Sequence, residues 1–119
     1  MAAHWIIDVA RVEIAGRTVF VAAALDHETW EIINIDAGTM PESALGGAFG
    51  GAVIRVGPPQ IVELDRGREM DVVAQEAAKL GAEVRRRPPR SPTWAACWGR
   101  EYARALSVAR LGLPGRRDA

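Results

Sequence analysis

Three acidic residues lie at positions where their chemistry could be combined. Asp8 interrupts an apolar run, Asp65 ends another, and Glu101 falls in a later helix-like segment, with 35 residues between Asp65 and Glu101. Taken singly, each acid is typical of a structural or solvated residue. Brought together, carboxylates repel one another unless cations neutralise them, and Mg²⁺ or Mn²⁺ prefers such oxygen ligands. Two ions about 3.5–4 Å apart suit phosphoryl transfer, because one activates the attacking oxygen and the other stabilises the leaving oxygen.

These acids need a fold that brings distant segments together. Apolar periodicity predicts an α/β domain with the order βββαβαβα, in which a five-stranded mixed sheet carries helices on both faces. In this order the first strand can lie beside the fourth, which would set Asp8 and Asp65 on adjacent strands, and the last helix would present Glu101. The predicted strands are 4–14, 18–25, 30–35, 60–64 and 82–86, and the predicted helices begin near 39, 69 and 94, the last reaching 110.

The first predicted helix is unusual in its glycine content. Thr39 and Glu42 have the spacing of a capping box at its start. Gly46-Gly47 and Gly50-Gly51 follow, and each glycine costs about 1 kcal/mol relative to alanine in a helix interior. This helix must therefore depend on tertiary packing or on a close neighbour.

Composition narrows the class of protein. With 119 residues, the chain is expected to form one domain, residues 1–112, followed by a flexible tail, residues 113–119. Hydrophobic residues make up 49%, charged residues 25%, and the formal net charge is zero, as in ordinary soluble domains. No membrane span or signal peptide is apparent, which favours a cytoplasmic location. The lone Cys97 excludes an internal disulfide, and His4 and His27 lack the spacing of metal ligands.

Several segments in this order carry a family resemblance. They are 5–9, Gly16, 19–26, 57–70 (with Asp-x-Gly-x-Glu at 65–69 after a Gly-Pro turn), 80–81 and 88–92. Together they resemble the integrase core domain, the ribonuclease H-like catalytic domain of retroviral integrases and many bacterial transposases. The resemblance extends from Trp5 to about Leu106, and the 35-residue gap before Glu101 matches the family's Asp-Asp-35-Glu spacing.

The resemblance implies a DNA-processing enzyme. Asp8, Asp65 and Glu101 would be its catalytic and metal-binding triad, holding two Mg²⁺ or Mn²⁺ ions. The implied activity is hydrolysis of DNA at element ends, followed by attack of the freed 3′ hydroxyl on target DNA. The family also implies a homo-oligomer, because two DNA ends are processed together. No helix-turn-helix or zinc-binding segment is recognisable, so DNA sequence recognition would require separate domains or proteins.

The basic residues are almost all arginines and cluster before and within the last predicted helix. A guanidinium group binds phosphate as a planar fork, and these residues border the region where the implied DNA would lie. The predicted DNA contacts are Arg85, Arg86, Arg87, Arg90, Arg100 and Arg104. The alternative is a solvated charged edge that limits strand pairing.

Two alternatives stay open for the function. The family often reads Val-Glu-Arg-Phe, with an aromatic residue two positions after its glutamate. Aligning Tyr102 with that aromatic residue would put Arg100, not Glu101, at the acid position. That alignment favours a non-catalytic ribonuclease H-like module, decayed or repurposed, that binds DNA or protein. A nuclease acting on RNA–DNA hybrids or Holliday junctions would share the acids but not the Gly-Pro and Asp-x-Gly-x-Glu setting.

Overall fold

Three antiparallel strands begin the sheet in the computed structural model, which describes residues 3–87. They are β1, His4–Ile14; β2, Arg17–Asp26; and β3, Ile32–Gly38. The first hairpin closes with a two-residue turn in which Ala15 and Gly16 have φ angles of 52° and 75°. Positive φ at both positions is typical of a type I′ turn, whose twist matches that of the flanking strands.

The third strand differs from its predicted range of 30–35. Trp30 has a φ angle of 62° and lies in the turn before the strand. At the other end, Ala37 pairs with Val21 and Gly38 pairs with Phe20, so β3 continues to Gly38. Backbone pairing with β2 therefore outweighs the strand-breaking tendency of glycine.

The first helix, α1, spans Pro41–Val56 and packs on the sheet. The predicted capping box is wrong, because Met40 is the N-cap residue and no side chain caps the helix. The predicted dependence on a close neighbour is confirmed. A Cβ atom at Gly47 would overlap the Asp36 carboxylate, and one at Gly51 would overlap the Asn34 amide. Two glycines of α1 thus allow it to approach β3 closely.

The second half of the described chain adds two short parallel strands. These elements are β4, Ile61–Leu64; a 3₁₀ helix, Arg68–Met70; α2, Asp71–Lys79; and β5, Glu83–Arg86. The α-helix is shorter than the predicted 69–80 because its first turn is 3₁₀. Beyond it, Gly81 has a φ angle of 84°, a conformation that glycine adopts without steric cost.

The five strands form one mixed sheet in the order β3-β2-β1-β4-β5. β1 is central: it pairs antiparallel with β2 and parallel with β4, and β4 pairs parallel with β5. The predicted mixed sheet and the adjacency of the first and fourth strands are confirmed. The helix predicted over 94–110 and the tail predicted over 113–119 lie outside the described residues.

Alternation along β1 divides the core into two faces. Trp5 and Ile7 point to the face that α1 and α2 cover, where they join the largest buried cluster. Ile6 and Asp8 point to the opposite face, where Ile6 packs with residues of β2 and β3. Both described helices lie on the first face. Neither α1 nor α2, the helices of residues 3–87, is long and apolar enough to cross a membrane.

Candidate metal and nucleic-acid site

Asp8 is a charged residue in the interior of the central strand. Its exposed fraction is 1%, and its strand neighbours on both sides, Ile7 and Val9, are apolar. Burial of a carboxylate is unfavourable unless hydrogen bonds, a counter-charge or a metal compensates for lost water. The strand itself gains nothing from an aspartate here, because aspartate is disfavoured in strands. A buried aspartate at this position is therefore typical of a residue that makes a specific polar or metal interaction.

The β1–β4 register brings Asp65 to the level of Asp8. The parallel pairs run from His4 with Ile61 to Ile6 with Glu63. Carried two residues further, the same register aligns Asp8 with Asp65, which directly follows β4. Because side chains alternate along strands, both carboxylates belong to the sheet face opposite α1 and α2.

The Asp-x-Gly-x-Glu segment has a defined local structure. Asp65 Oδ1 accepts a hydrogen bond from the Gly67 backbone N–H at 2.8 Å, which forms an Asx turn. Glu69 folds back beside Gly67, where a Cβ atom would overlap its carboxylate. The turn holds one carboxylate oxygen of Asp65 and so fixes the group's orientation. The second oxygen of a carboxylate can still bind a cation.

The predicted third acid is not among the described residues. Glu101 lies outside residues 3–87, as do Arg90, Arg100 and Arg104. The structure thus brings Asp8 and Asp65 to one level of adjacent strands. The role of Glu101, and the competing alignment through Arg100, stay predictions.

The three described arginines of the basic cluster have different surroundings. Arg86 Nη1 donates to the Asp65 backbone carbonyl at 2.9 Å, and its Nη2 lies 2.8 Å from Asp71 Oδ1. Arg85 Nε donates to Glu83 Oε2; this hydrogen bond and the guanidinium charge lower the pKa of Glu83, and the same contact raises the pKa of Arg85. Arg86 thus holds the end of β4 beside Asp65. Its contact with DNA stays a prediction.

Arg87 extends the alignment across a third strand. Its backbone N–H donates to the Leu64 carbonyl, which continues the β4–β5 ladder. Carrying the β4–β5 register one residue beyond its last pair, Leu64 with Arg86, aligns Arg87 with Asp65. Arg87, which directly follows β5, therefore lies beside Asp65 at the level of the aspartate pair.

A second group of potential ligands was missed in the sequence. His4, His27 and Glu63 each offer a ligand atom, and these three atoms lie within 4.8 Å of one another. The histidines belong to the start of β1 and the turn after β2, and Glu63 belongs to β4. Their spacing along the chain gave no metal-ligand pattern, because the sheet registers alone bring them together.

Comparisons with known proteins identify the fold. No protein-family model and no curated protein matches the sequence. Among solved structures, the HTLV-2 integrase catalytic core domain with magnesium matches in a dimeric form (TM-score 0.60, 13% identity, 72% of this chain) and in a trimeric form (TM-score 0.63, 12% identity, 96% of this chain). The simian T-cell lymphotropic virus intasome bound to the PP2A regulatory subunit B56 gamma also matches (TM-score 0.66, 14% identity, 96% of this chain).

This chain spans 61% and 78% of the two HTLV-2 chains and 44% of the intasome chain. At these identities the likeness establishes the fold. The fold is the ribonuclease H-like α/β fold of integrase catalytic core domains, so the resemblance seen in the sequence is confirmed at the level of structure.

Proposed function

We propose that this chain is the catalytic core of a DNA-processing enzyme of the integrase or transposase type, a polynucleotidyl transferase. The observation that carries the proposal is the buried Asp8 on β1 beside the parallel strand β4, whose register, extended two residues beyond Glu63, sets Asp65 at the level of Asp8. It is supported by the integrase-core fold and by the Asp-x-Gly-x-Glu turn that orients Asp65. Fold alone does not determine activity, so the two carboxylates are the basis of the proposal.

The donor set suits Mg²⁺ or Mn²⁺. Asp8 supplies a carboxylate shielded from water, and Asp65 supplies one oriented by the Gly67 N–H. Both offer oxygen ligands of the kind these ions prefer. In this proposal Glu101 completes the set. When bound, two ions would activate the attacking oxygen and stabilise the leaving oxygen of a phosphodiester.

The chain's own residues would orient the reacting groups. The Asx turn at Asp65 and the Arg86 bond to its carbonyl hold the carboxylate at the end of β4. Asp8 lies within β1, the central strand, which pairs with β2 on one side and with β4 on the other, and Asp8 itself pairs with Ala23 of β2. A site on such paired strands keeps its geometry through the reaction, which is the main contribution a protein makes to phosphoryl transfer.

DNA is the proposed substrate, with phosphate contacts from the arginines of the basic cluster. Among the described arginines, we assign the phosphate contact first to Arg87, because it directly follows β5 and lies beside Asp65. Arg90, Arg100 and Arg104 would extend the contact surface. Recognition of particular DNA ends is assigned to further domains or proteins, and the core, proposed to span residues 1–112, is assigned a homo-oligomeric state. The solved HTLV-2 cores have dimeric and trimeric forms.

A nicking assay tests this function. The protein is incubated with an end-labelled DNA duplex in Mn²⁺ or Mg²⁺, and strand breaks are measured on denaturing gels. We expect metal-dependent nicking that falls by at least about 100-fold in Asp8→Asn and Asp65→Asn, since removal of transition-state charge stabilisation has effects of that order. Glu76→Gln is the control, because Glu76 is an exposed carboxylate on α2, on the face of the sheet opposite the aspartates.

Two results would count against the catalytic proposal. Nicking that persists in both aspartate variants would place the activity elsewhere or in a contaminant. DNA binding without any metal-dependent cleavage, in all variants alike, would favour the non-catalytic ribonuclease H-like module.

A further inference from the structure

We propose that His4, His27 and Glu63 form a zinc-binding site, separate from the aspartate pair, that links β1, β2 and β4. His4 Nε2 lies 2.5 Å from Glu63 Oε2, and His27 Nε2 lies 3.2 Å from the same oxygen. The three side chains come from three segments of the sheet. The His27 backbone N–H donates to the His4 carbonyl at 2.8 Å, so the turn after β2 is fixed against β1.

The strongest indication is the His4 ring nitrogen. Its Nε2 is buried and has no hydrogen-bond partner, although the Glu63 carboxylate is close. A buried polar atom without a partner destabilises the fold. Imidazole nitrogens and carboxylate oxygens are both ligands that Zn²⁺ binds. A metal ion would satisfy both atoms at once.

The donor types indicate which metal. Two imidazole nitrogens and one carboxylate oxygen are a set typical of Zn²⁺, with a fourth position left for water. Mg²⁺ prefers an all-oxygen set, which is the set at Asp8 and Asp65. The two sites are therefore expected to differ in metal preference.

The exposure of the ligands permits the adjustment that coordination needs. The His4 and His27 rings are stacked, with centroids 3.8 Å apart and planes 1° from parallel. Parallel rings do not aim their nitrogens at one point, so one ring must tilt. His27 can tilt, because 42% of its side chain is exposed, whereas His4 and Glu63 are largely buried at 17% and 19%.

The position of the site suggests a structural role. Glu63 and His4 lie on the sheet face of the aspartates, and Glu63 precedes Asp65 by two residues, about 7 Å along the strand. An ion held by β1, β2 and β4 would fix the β1–β4 register that aligns Asp8 with Asp65. This role does not depend on the proposed catalytic function, because it requires only the sheet.

Zinc binding is tested on the chain without a polyhistidine tag, by competition with a chromophoric zinc chelator. We expect one Zn²⁺ per chain, with affinity reduced by more than about tenfold in His27→Gln and in Glu63→Gln. His27→Gln is the main variant, since its exposed side chain is not needed for packing. Glu76→Gln, an exposed glutamate on α2 on the opposite face of the sheet, is the control and should bind as the wild type does.

Two further measurements assign the ion to this site. His4 and His27 are the two histidines of the chain, so ¹⁵N NMR of the imidazole nitrogens should show zinc-dependent shifts in both. Zn²⁺ should raise the melting temperature of the wild type and, at the same concentration, raise that of His27→Gln less.

The proposal is overturned if the wild type binds no Zn²⁺, or if His27→Gln and Glu63→Gln bind it as tightly as the wild type. It is also overturned if binding is lost in Asp8→Asn or Cys97→Ser and kept in His27→Gln, because the ion would then lie elsewhere. If the wild type binds Zn²⁺ at this site but does not nick DNA, the result counts against the proposed catalytic function and not against the zinc site.

Discussion

Substitution of the α1 glycines by alanine should have opposite effects on the free energy of unfolding, according to the side of the helix on which each glycine lies. A Cβ atom at Gly50 meets no atom within 4 Å, whereas one at Gly51 would overlap the Asn34 side-chain amide. That amide donates hydrogen bonds to the Gly47 and Ala48 carbonyls at 3.2 and 3.1 Å. Gly51→Ala must therefore displace Asn34, and Gly50→Ala displaces nothing.

The expected magnitudes follow from these contacts. Alanine is favoured over glycine in a helix interior by about 1 kcal/mol, so Gly50→Ala should raise the free energy of unfolding by up to that amount. Gly51→Ala gains the same term but loses two hydrogen bonds, each worth about 0.5–1.5 kcal/mol. Its net effect should be a loss of about 1 kcal/mol. The two variants should therefore differ by about 2 kcal/mol, although they substitute adjacent residues.

Urea denaturation followed by circular dichroism measures this difference. Gly46→Ala and Gly47→Ala repeat the comparison one turn earlier, where Gly46 is open and Gly47 faces Asp36. The double variant Asn34→Ala/Gly51→Ala tests the cause. Once the Asn34 amide is absent, adding Gly51→Ala should lower the free energy of unfolding little. Equal stabilisation by Gly50→Ala and Gly51→Ala would refute the close approach of α1 to β3.

Two further predictions concern the turns. Ala15→Asn should raise the free energy of unfolding by about 0.5–1 kcal/mol, because asparagine tolerates the positive φ that Ala15 adopts beside Gly16; an unchanged urea midpoint would contradict this. The backbone N–H groups of Thr29 and Glu28 lower the pKa of Asp26 below 3.8. A lowered folded-state pKa stabilises the fold above the unfolded pKa, and this stability is lost as pH falls through the folded pKa. Asp26→Asn should therefore be less stable than the wild type at pH 7, by less than about 1 kcal/mol, and their melting temperatures should converge below pH 3.8; a constant difference would contradict the assignment.

The sheet could be predicted from the sequence because its strands carry clear patterns. The predicted bounds of β1 match the observed His4–Ile14, and the turn at Ala15-Gly16 has its expected place. The start of α1 was misassigned, since the capping-box spacing of Thr39 and Glu42 does not show whether their side chains reach the helix N–H groups.

The two candidate sites differ in how far the sequence reveals them. Asp8 and Asp65 follow from topology, because the adjacency of the first and fourth strands sets the residue that follows the short β4 beside the middle of β1. His4, His27 and Glu63 depend on the register of β1 against two different strands. Register is set by turn geometry and by which face is buried, and a shift of one residue would separate these side chains. Sequence spacing therefore could not reveal that group.

Calorimetric titration with Mn²⁺ tests the central claim most directly, because it measures the proposed metal site without requiring DNA or other domains. The wild type should bind Mn²⁺, and Asp8→Asn, Asp65→Asn and Glu101→Gln should each weaken binding by more than about tenfold, while Glu76→Gln and His27→Gln should not. Weakening by the aspartate variants but not by Glu101→Gln would support the alignment through Arg100. Mn²⁺ binding that is unchanged in Asp8→Asn and Asp65→Asn would contradict the account.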